Sequence, residues 1–101
     1  MKKYIDHHLY DTDKAFEVET YENHYHEFDC RYIKETLYQK PNGEWFLLAH
    51  GGSWTKYRKP RKLGGFSGST VIVPLSLDKA KEWAKTYLSS EVYILTFGFI
   101  V

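Results

Sequence analysis

The chain has 101 residues, 14 Lys/Arg against 13 Asp/Glu, and an aromatic content of 18% in which nine Tyr outnumber six Phe and three Trp. That length fits one domain over residues 1–101 with a single core, the lone Cys30 excludes an internal disulfide, and no run approaches the roughly 20 apolar residues of a membrane-spanning helix. The lysines at the N-terminus are not followed by the apolar run of a secretory leader, so a cytosolic address is expected.

The near-neutral total hides an uneven layout. Residues 1–50 carry six Lys/Arg against ten Asp/Glu, and residues 51–101 carry eight against three. Such asymmetry fits either a polyelectrolyte partner or two halves of one domain that attract each other.

In chain order, Lys3–Tyr10 alternates as a first strand, and Asp11-Thr12-Asp13 follows as a turn in which an Asx side chain bonds the backbone ahead. Ala15–Tyr21 alternates as a half-exposed strand with an acidic outer face. Glu22–Glu27 is polar, a loop or frayed strand, and Phe28–Gln39 resumes the strand pattern. Pro41-Asn42-Gly43 then predicts a tight hairpin turn, because Asn-Gly tolerates the positive φ of two-residue loops. Trp45–Ala49 is apolar on both faces, as a central strand requires. Gly51–Ser69 is glycine-rich, without a period, and reads as a long loop. Val71–Val73 is a short buried strand that Pro74 ends. Ser76 is placed to cap a helix over Leu77–Leu88, with Leu77, Ala80, Trp83, Ala84, Tyr87 and Leu88 on one face. Ser89-Ser90 breaks that pattern, and the apolar run Val92–Val101 predicts a final buried strand whose truncation is costly. The expected fold is α+β: a mostly antiparallel sheet of five to six strands with one helix, in the C-terminal half, packed on one face.

Motifs for chemistry are sparse. Alternation along a strand would bring His24, His26 and Cys30 to one face, and imidazole and thiolate suit zinc. With no second Cys and no Cys-x-x-Cys, however, solvent-facing histidines are the expected state, and no metal or other cofactor is assigned. A Cys30–His nucleophile pair with His24, His26 or His50 lacks any visible orienting group, and no catalytic residue is assigned. Gly64–Thr70 lacks the Lys of a phosphate loop and precedes a strand rather than a helix. Trp54 to Lys62 is the segment with the most to offer. The cations Lys56, Arg58, Lys59, Arg61 and Lys62 stand beside Trp54 and Tyr57, a composition that suits nucleic acid or an acidic protein groove, or else packing on the chain's own acidic strand. These seven residues are the expected partner-binding site. The acidic residues Asp6, Asp11, Asp13, Glu17, Glu19, Glu22, Glu27 and Asp29 form a second charged region that would suit a basic channel.

An ordered set of short motifs runs from Tyr10 to about Leu88: Tyr10-Asp-Thr-Asp-Lys-Ala15, Tyr32-Ile-Lys-Glu-Thr-Leu-Tyr38, Gly43-Glu-Trp-Phe-Leu47, Gly51-Gly52, Lys56-Tyr57, and Val73-Pro-Leu-Ser-Leu-Asp-Lys-Ala80 with Trp83. On this set the chain resembles a family of small proteins carried by phages and integrative elements of low-GC Gram-positive bacteria, some of which resemble anti-CRISPR proteins acting on type II effector nucleases. The chain departs from the pattern at Trp54-Thr55, where Met-Ser would be expected, and in the richness of its basic segment. The resemblance implies a non-enzymatic inhibitor that binds a host CRISPR effector nuclease or another nucleic-acid enzyme. The alternative reading is a direct nucleic-acid-binding accessory protein that uses the basic loop 54–62.

Overall fold

The computed structural model describes residues 1–98. It is an α+β fold whose main sheet has four antiparallel strands in the order 16–22, 33–39, 45–51, 69–75, supplemented by two small two-stranded sheets, 2–5 with 8–11 and 59–60 with 66–67. Two helices close the described chain, α1 (Leu77–Tyr87) and α2 (Ser90–Phe97). The expected antiparallel sheet is therefore present. Where five to six strands and one helix are expected, the described residues form eight strands, four of them in the main sheet, and two helices.

The first departure is at the N-terminus. Lys3–Tyr10 is not one strand but a hairpin of β1 (Lys2–Ile5) and β2 (His8–Asp11), folded at Asp6-His7. Both turn residues have positive φ, +49° and +68°. Asp and His are among the non-glycine residues that enter this region most readily, so the alternating pattern concealed the turn. The Asx turn is as read: Asp11 Oδ1 accepts from Asp13 N at 3.0 Å, opening a 3₁₀ turn over Thr12–Lys14.

β3 (Phe16–Glu22), β4 (Ile33–Gln39), β5 (Trp45–Gly51) and β8 (Ser69–Leu75) make the main sheet. Strand β4 begins only at Ile33, because residues 24–31 are turns. The β4–β5 loop is Pro41-Asn42-Gly43. Gly43 N donates to Lys40 O (2.9 Å), Lys40 N donates to Glu44 O (2.7 Å), and Gly43 alone of the three has positive φ, +93°. This is a three-residue loop with glycine in the left-handed position rather than the two-residue Asn-Gly turn expected. Pro74 does not end β8 but lies within it, opposite Phe46. Because β8 is an edge strand, the missing N–H costs the sheet no bond.

β5 is buried on both faces, as its sequence requires. Trp45, Leu47 and Ala49 face the helices, and Phe46 faces the β1–β2 hairpin. The helix-side core joins Leu37, Trp45 and Leu47 to Ala80, Trp83, Ala84 and Tyr93. The alanines let α1 lie close to the strands. On the opposite face Tyr10 meets Phe46 edge-on at 5.4 Å, with Ile72 alongside.

Val92–Phe97 belongs to a helix, not to the predicted strand, while residues 99–101 of that prediction lie outside the described residues. Ser89, read as a breaker, is the N-cap: its Oγ accepts from Val92 N at 3.3 Å, and Glu91 lies in the first turn. The misreading has a physical cause. A segment apolar on nearly every side has no helical period, and its β-branched and aromatic content then favours strand. Packing decides the matter, with Tyr93 buried and Phe97 4.8 Å from Trp45. Among the described residues no helix is long and apolar enough to cross a membrane.

Candidate functional site

Residues 52–68 leave the end of β5 and return as β8. They contain a short ribbon, β6 (Lys59–Pro60) paired with β7 (Phe66–Ser67). The segment expected to be loop is thus a hairpin. Its tip closes by Arg61 N donating to Gly65 O (3.0 Å) and Gly64 N donating to Arg61 O (3.2 Å), with Gly64 at φ +99°. Every residue from Arg58 to Phe66 is exposed, and Leu63 at the tip is fully so. This finger carries Arg58, Lys59, Arg61 and Lys62, and no Asp or Glu occurs anywhere between Glu44 and Asp78. The guanidinium of Arg58 lies 4.2 Å over the Phe66 ring, which orders one flank of the ribbon.

The root of the finger is as fixed as its tip is free. Gly52 N donates to Tyr32 O (3.0 Å), Trp54 N donates to Cys30 O (2.9 Å), and the buried Thr55 hydroxyl donates to Gly52 O (2.9 Å). The Ser69 hydroxyl donates to Tyr57 O, tying the outgoing strand to the returning one. Gly51 makes this closeness possible, since a Cβ there would stand 2.1 Å from Thr55 Oγ1 and 3.0 Å from Tyr57.

At the centre of the root is Glu35, 2% exposed on the helix side of β4. It accepts hydrogen bonds from the Trp83 indole (2.9 Å) and the Tyr57 hydroxyl, and Lys56 Nζ lies 3.5 Å away. One carboxylate therefore joins the sheet, helix α1 and the finger. Burial, and then the bond to Glu35, push the Tyr57 hydroxyl well above the ordinary tyrosine range. The Glu35 environment is one that sequence reasoning missed. A lone Glu in an alternating strand carries no sign that it faces inward; its partners lie 21, 22 and 48 residues further along the chain.

The structure thus divides the seven predicted site residues. Arg58, Lys59, Arg61 and Lys62 share the exposed finger, and Trp54 stands 72% exposed beside its root. Tyr57 turns inward to Glu35, whereas the Lys56 side chain stays exposed and reaches the same carboxylate with its ammonium, so that both hold the root.

Next to the root is the turn-rich segment that holds His24, His26 and Cys30. His24 packs on Tyr25 (4.1 Å between ring centroids) and His26 on Phe28 (5.3 Å). Cys30 is half-buried in a turn rather than within a strand. Among the described residues no group of three His, Cys, Asp or Glu is arranged to hold a metal ion. Asp29 and Arg31 form a bidentate pair (2.9 and 2.8 Å) that holds the Asp29 carboxyl far below the usual carboxylate range. The acidic side chains of β3 (Glu17, Glu19 and Glu22) are exposed along the opposite edge of the sheet from β8.

Comparison with protein-family models, with curated proteins and with solved structures finds no match to this chain.

Proposed function

We propose that the protein is a non-enzymatic binding protein that lodges its basic finger against a nucleic-acid-processing enzyme and blocks nucleic-acid binding or cleavage. The motif resemblance points to a host CRISPR effector nuclease, met in the bacterial cytoplasm. The observation that carries the reading is the finger itself: four cations on an exposed ribbon, with a root bonded to β4, α1 and the loop before β4. A pre-ordered projection loses little conformational entropy on docking, and its charges raise the encounter rate with an anionic surface. In a loaded nuclease, the phosphates of the bound nucleic acid, which the enzyme shields from added nuclease, are that surface.

The stretch free of Asp and Glu between Glu44 and Asp78 also favours a second reading, direct binding of free nucleic acid by the same finger. One experiment separates the two. Tagged protein is incubated with host lysate at low and high salt, with and without nuclease treatment, and the captured enzyme is assayed for cleavage. Near-equal stoichiometry that survives nuclease treatment, together with inhibited cleavage, supports the first reading. Capture that vanishes with nuclease or salt supports the second. Capture unchanged when Lys59, Arg61 and Lys62 are replaced by Ala removes the finger from both.

A further inference from the structure

We propose that the root of the finger is a stacking platform for unpaired bases, so that the nucleic acid it meets is single-stranded. This rests on the reading that the finger contacts nucleic acid, and it names the form of that nucleic acid. The segment 24–31 and the finger root are one structural unit, joined by Trp54 N donating to Cys30 O at 2.9 Å. Two large rings on this unit are left in water, Phe28 at 87% and Trp54 at 72% exposure, whereas Trp45, Phe46 and Trp83 are buried. Tyr4 and Phe16 are also exposed, at 69% each, but Trp54 precedes the cation-rich segment directly and Phe28 stands on the segment bonded to it.

The platform is also pre-ordered. The Phe28 N–H donates to His26 Nδ1 (3.2 Å), and the two rings pack at 5.3 Å. The Arg31 guanidinium lies 4.2 Å over Tyr25 while Asp29 grips its edge. Asn23 closes the segment by donating to Arg31 O (2.8 Å) and accepting from Ile33 N (3.1 Å). Aromatic faces and guanidinium planes are the surfaces on which splayed bases stack, and a neighbouring row of cations tracks the phosphates. Rings standing out from a surface do not reach bases that are stacked inside a duplex. Glu27 is an opposing charge that no ion pair offsets among the described residues, whereas Asp29 is held by Arg31; it is an exposed carboxylate between His26 and Phe28 in sequence.

The probes are fluorescein-labelled oligothymidylate and oligouridylate of roughly twelve nucleotides, with a thymidylate–adenylate duplex of equal length, read by anisotropy at low salt. Expected is preference for the single strands by about tenfold or more, with quenching of Trp54 emission. Phe28→Ala and Trp54→Ala each weaken binding about tenfold, Trp54→Phe retains most of it, and Glu27→Gln tightens it. Both rings are exposed, so unchanged thermal unfolding of the variants is the control. Equal affinity for duplex, aromatic variants that bind as well as the parent, or equal competition by a polyglutamate peptide would each overturn the platform. No oligonucleotide binding overturns it too. The inhibitor reading falls only if enzyme capture and cleavage inhibition also fail.

Discussion

The β4–β5 turn and the finger tip close in the same way. Each is a three-residue loop, Pro41-Asn42-Gly43 in one and Lys62-Leu63-Gly64 in the other, with the same pair of backbone bonds and a glycine at φ +93° or +99°. Yet one is the middle of the fold and the other stands outside it. Behind Gly43 come Trp45, Phe46 and Leu47, all buried, whereas behind Gly64 come Gly65 and Phe66, both exposed, with Phe66 opposite Pro60 and Ser67 opposite Lys59. Turn chemistry specifies that a hairpin forms. The side chains on its arms specify whether the hairpin becomes core or surface. The same turn closes one hairpin whose second arm is buried and another whose arms are largely exposed.

The comparison breaks most sharply at the arms. Phe46→Ala, at a fully buried ring on the core hairpin, should cost about 3–5 kcal/mol in denaturant unfolding. Leu63→Ala on the finger should stay within about 0.5 kcal/mol. Equal losses would mean that the finger is part of the cooperative core. Next in size is the link between them. Glu35→Ala leaves the Trp83 indole and the Tyr57 hydroxyl without their acceptor and should cost about 2–4 kcal/mol, while Glu35→Gln, which keeps an acceptor, should cost less. If Glu35→Ala lowers partner capture more than Glu35→Gln at a temperature where both are folded, the root orients the finger.

Alkaline pH tests the same root. Burial, followed by the bond to Glu22, pushes the Tyr32 hydroxyl up to about 12, and Tyr57 is raised further. In the unfolded chain these phenols ionise near about 10, so their contribution is complete below that pH. Between about 10 and the folded values the unfolded state sheds protons that the folded state keeps, and stability falls as pH rises. Tyrosinate absorbance should therefore show Tyr32 and Tyr57 ionising together with unfolding. Tyr57→Phe should make the fall shallower, and an early, independent titration of both would disprove their burial.

Much of this was legible in the chain. Alternation placed β3, β4 and β5, and the double-sided apolar run of Trp45–Ala49 placed β5 at the centre. Ser76 with its helical spacing placed α1. The missed elements share a cause: local pattern was silent or ambiguous where tertiary contact decided. Asp6-His7 hid a turn because neither residue is Gly, and Ser89 hid a cap because the run after it is apolar throughout. At the candidate site, composition found the cations of the finger. It did not find that Tyr57 points inward or that Lys56 is tethered to a buried carboxylate, since Glu35 meets them only once the sheet has formed. Nor did it find that His24 packs on Tyr25 and His26 on Phe28, because ring packing leaves no mark on residue spacing.

The smallest effect separates the two turns most finely. Replacing either loop glycine by Ala forces a side chain into positive φ, at a cost of about 1 kcal/mol. No heavy atom lies within 4 Å of a Cβ built at Gly43 or Gly64, so backbone strain is the whole effect at both. For Gly43→Ala the strain is felt by the cooperative unit, because the loop joins the two inner strands, and the unfolding midpoint should drop. For Gly64→Ala the ribbon relieves it by opening locally, since nothing buried depends on its closure. The midpoint should then hold while amide exchange at Arg61 and Gly64, the donors of the tip bonds, accelerates. Partner capture should fall with it, because a frayed finger must be ordered again on docking. If Gly64→Ala lowers the midpoint as far as Gly43→Ala does, the finger is cooperative with the sheet and its exposure does not make it an independent arm.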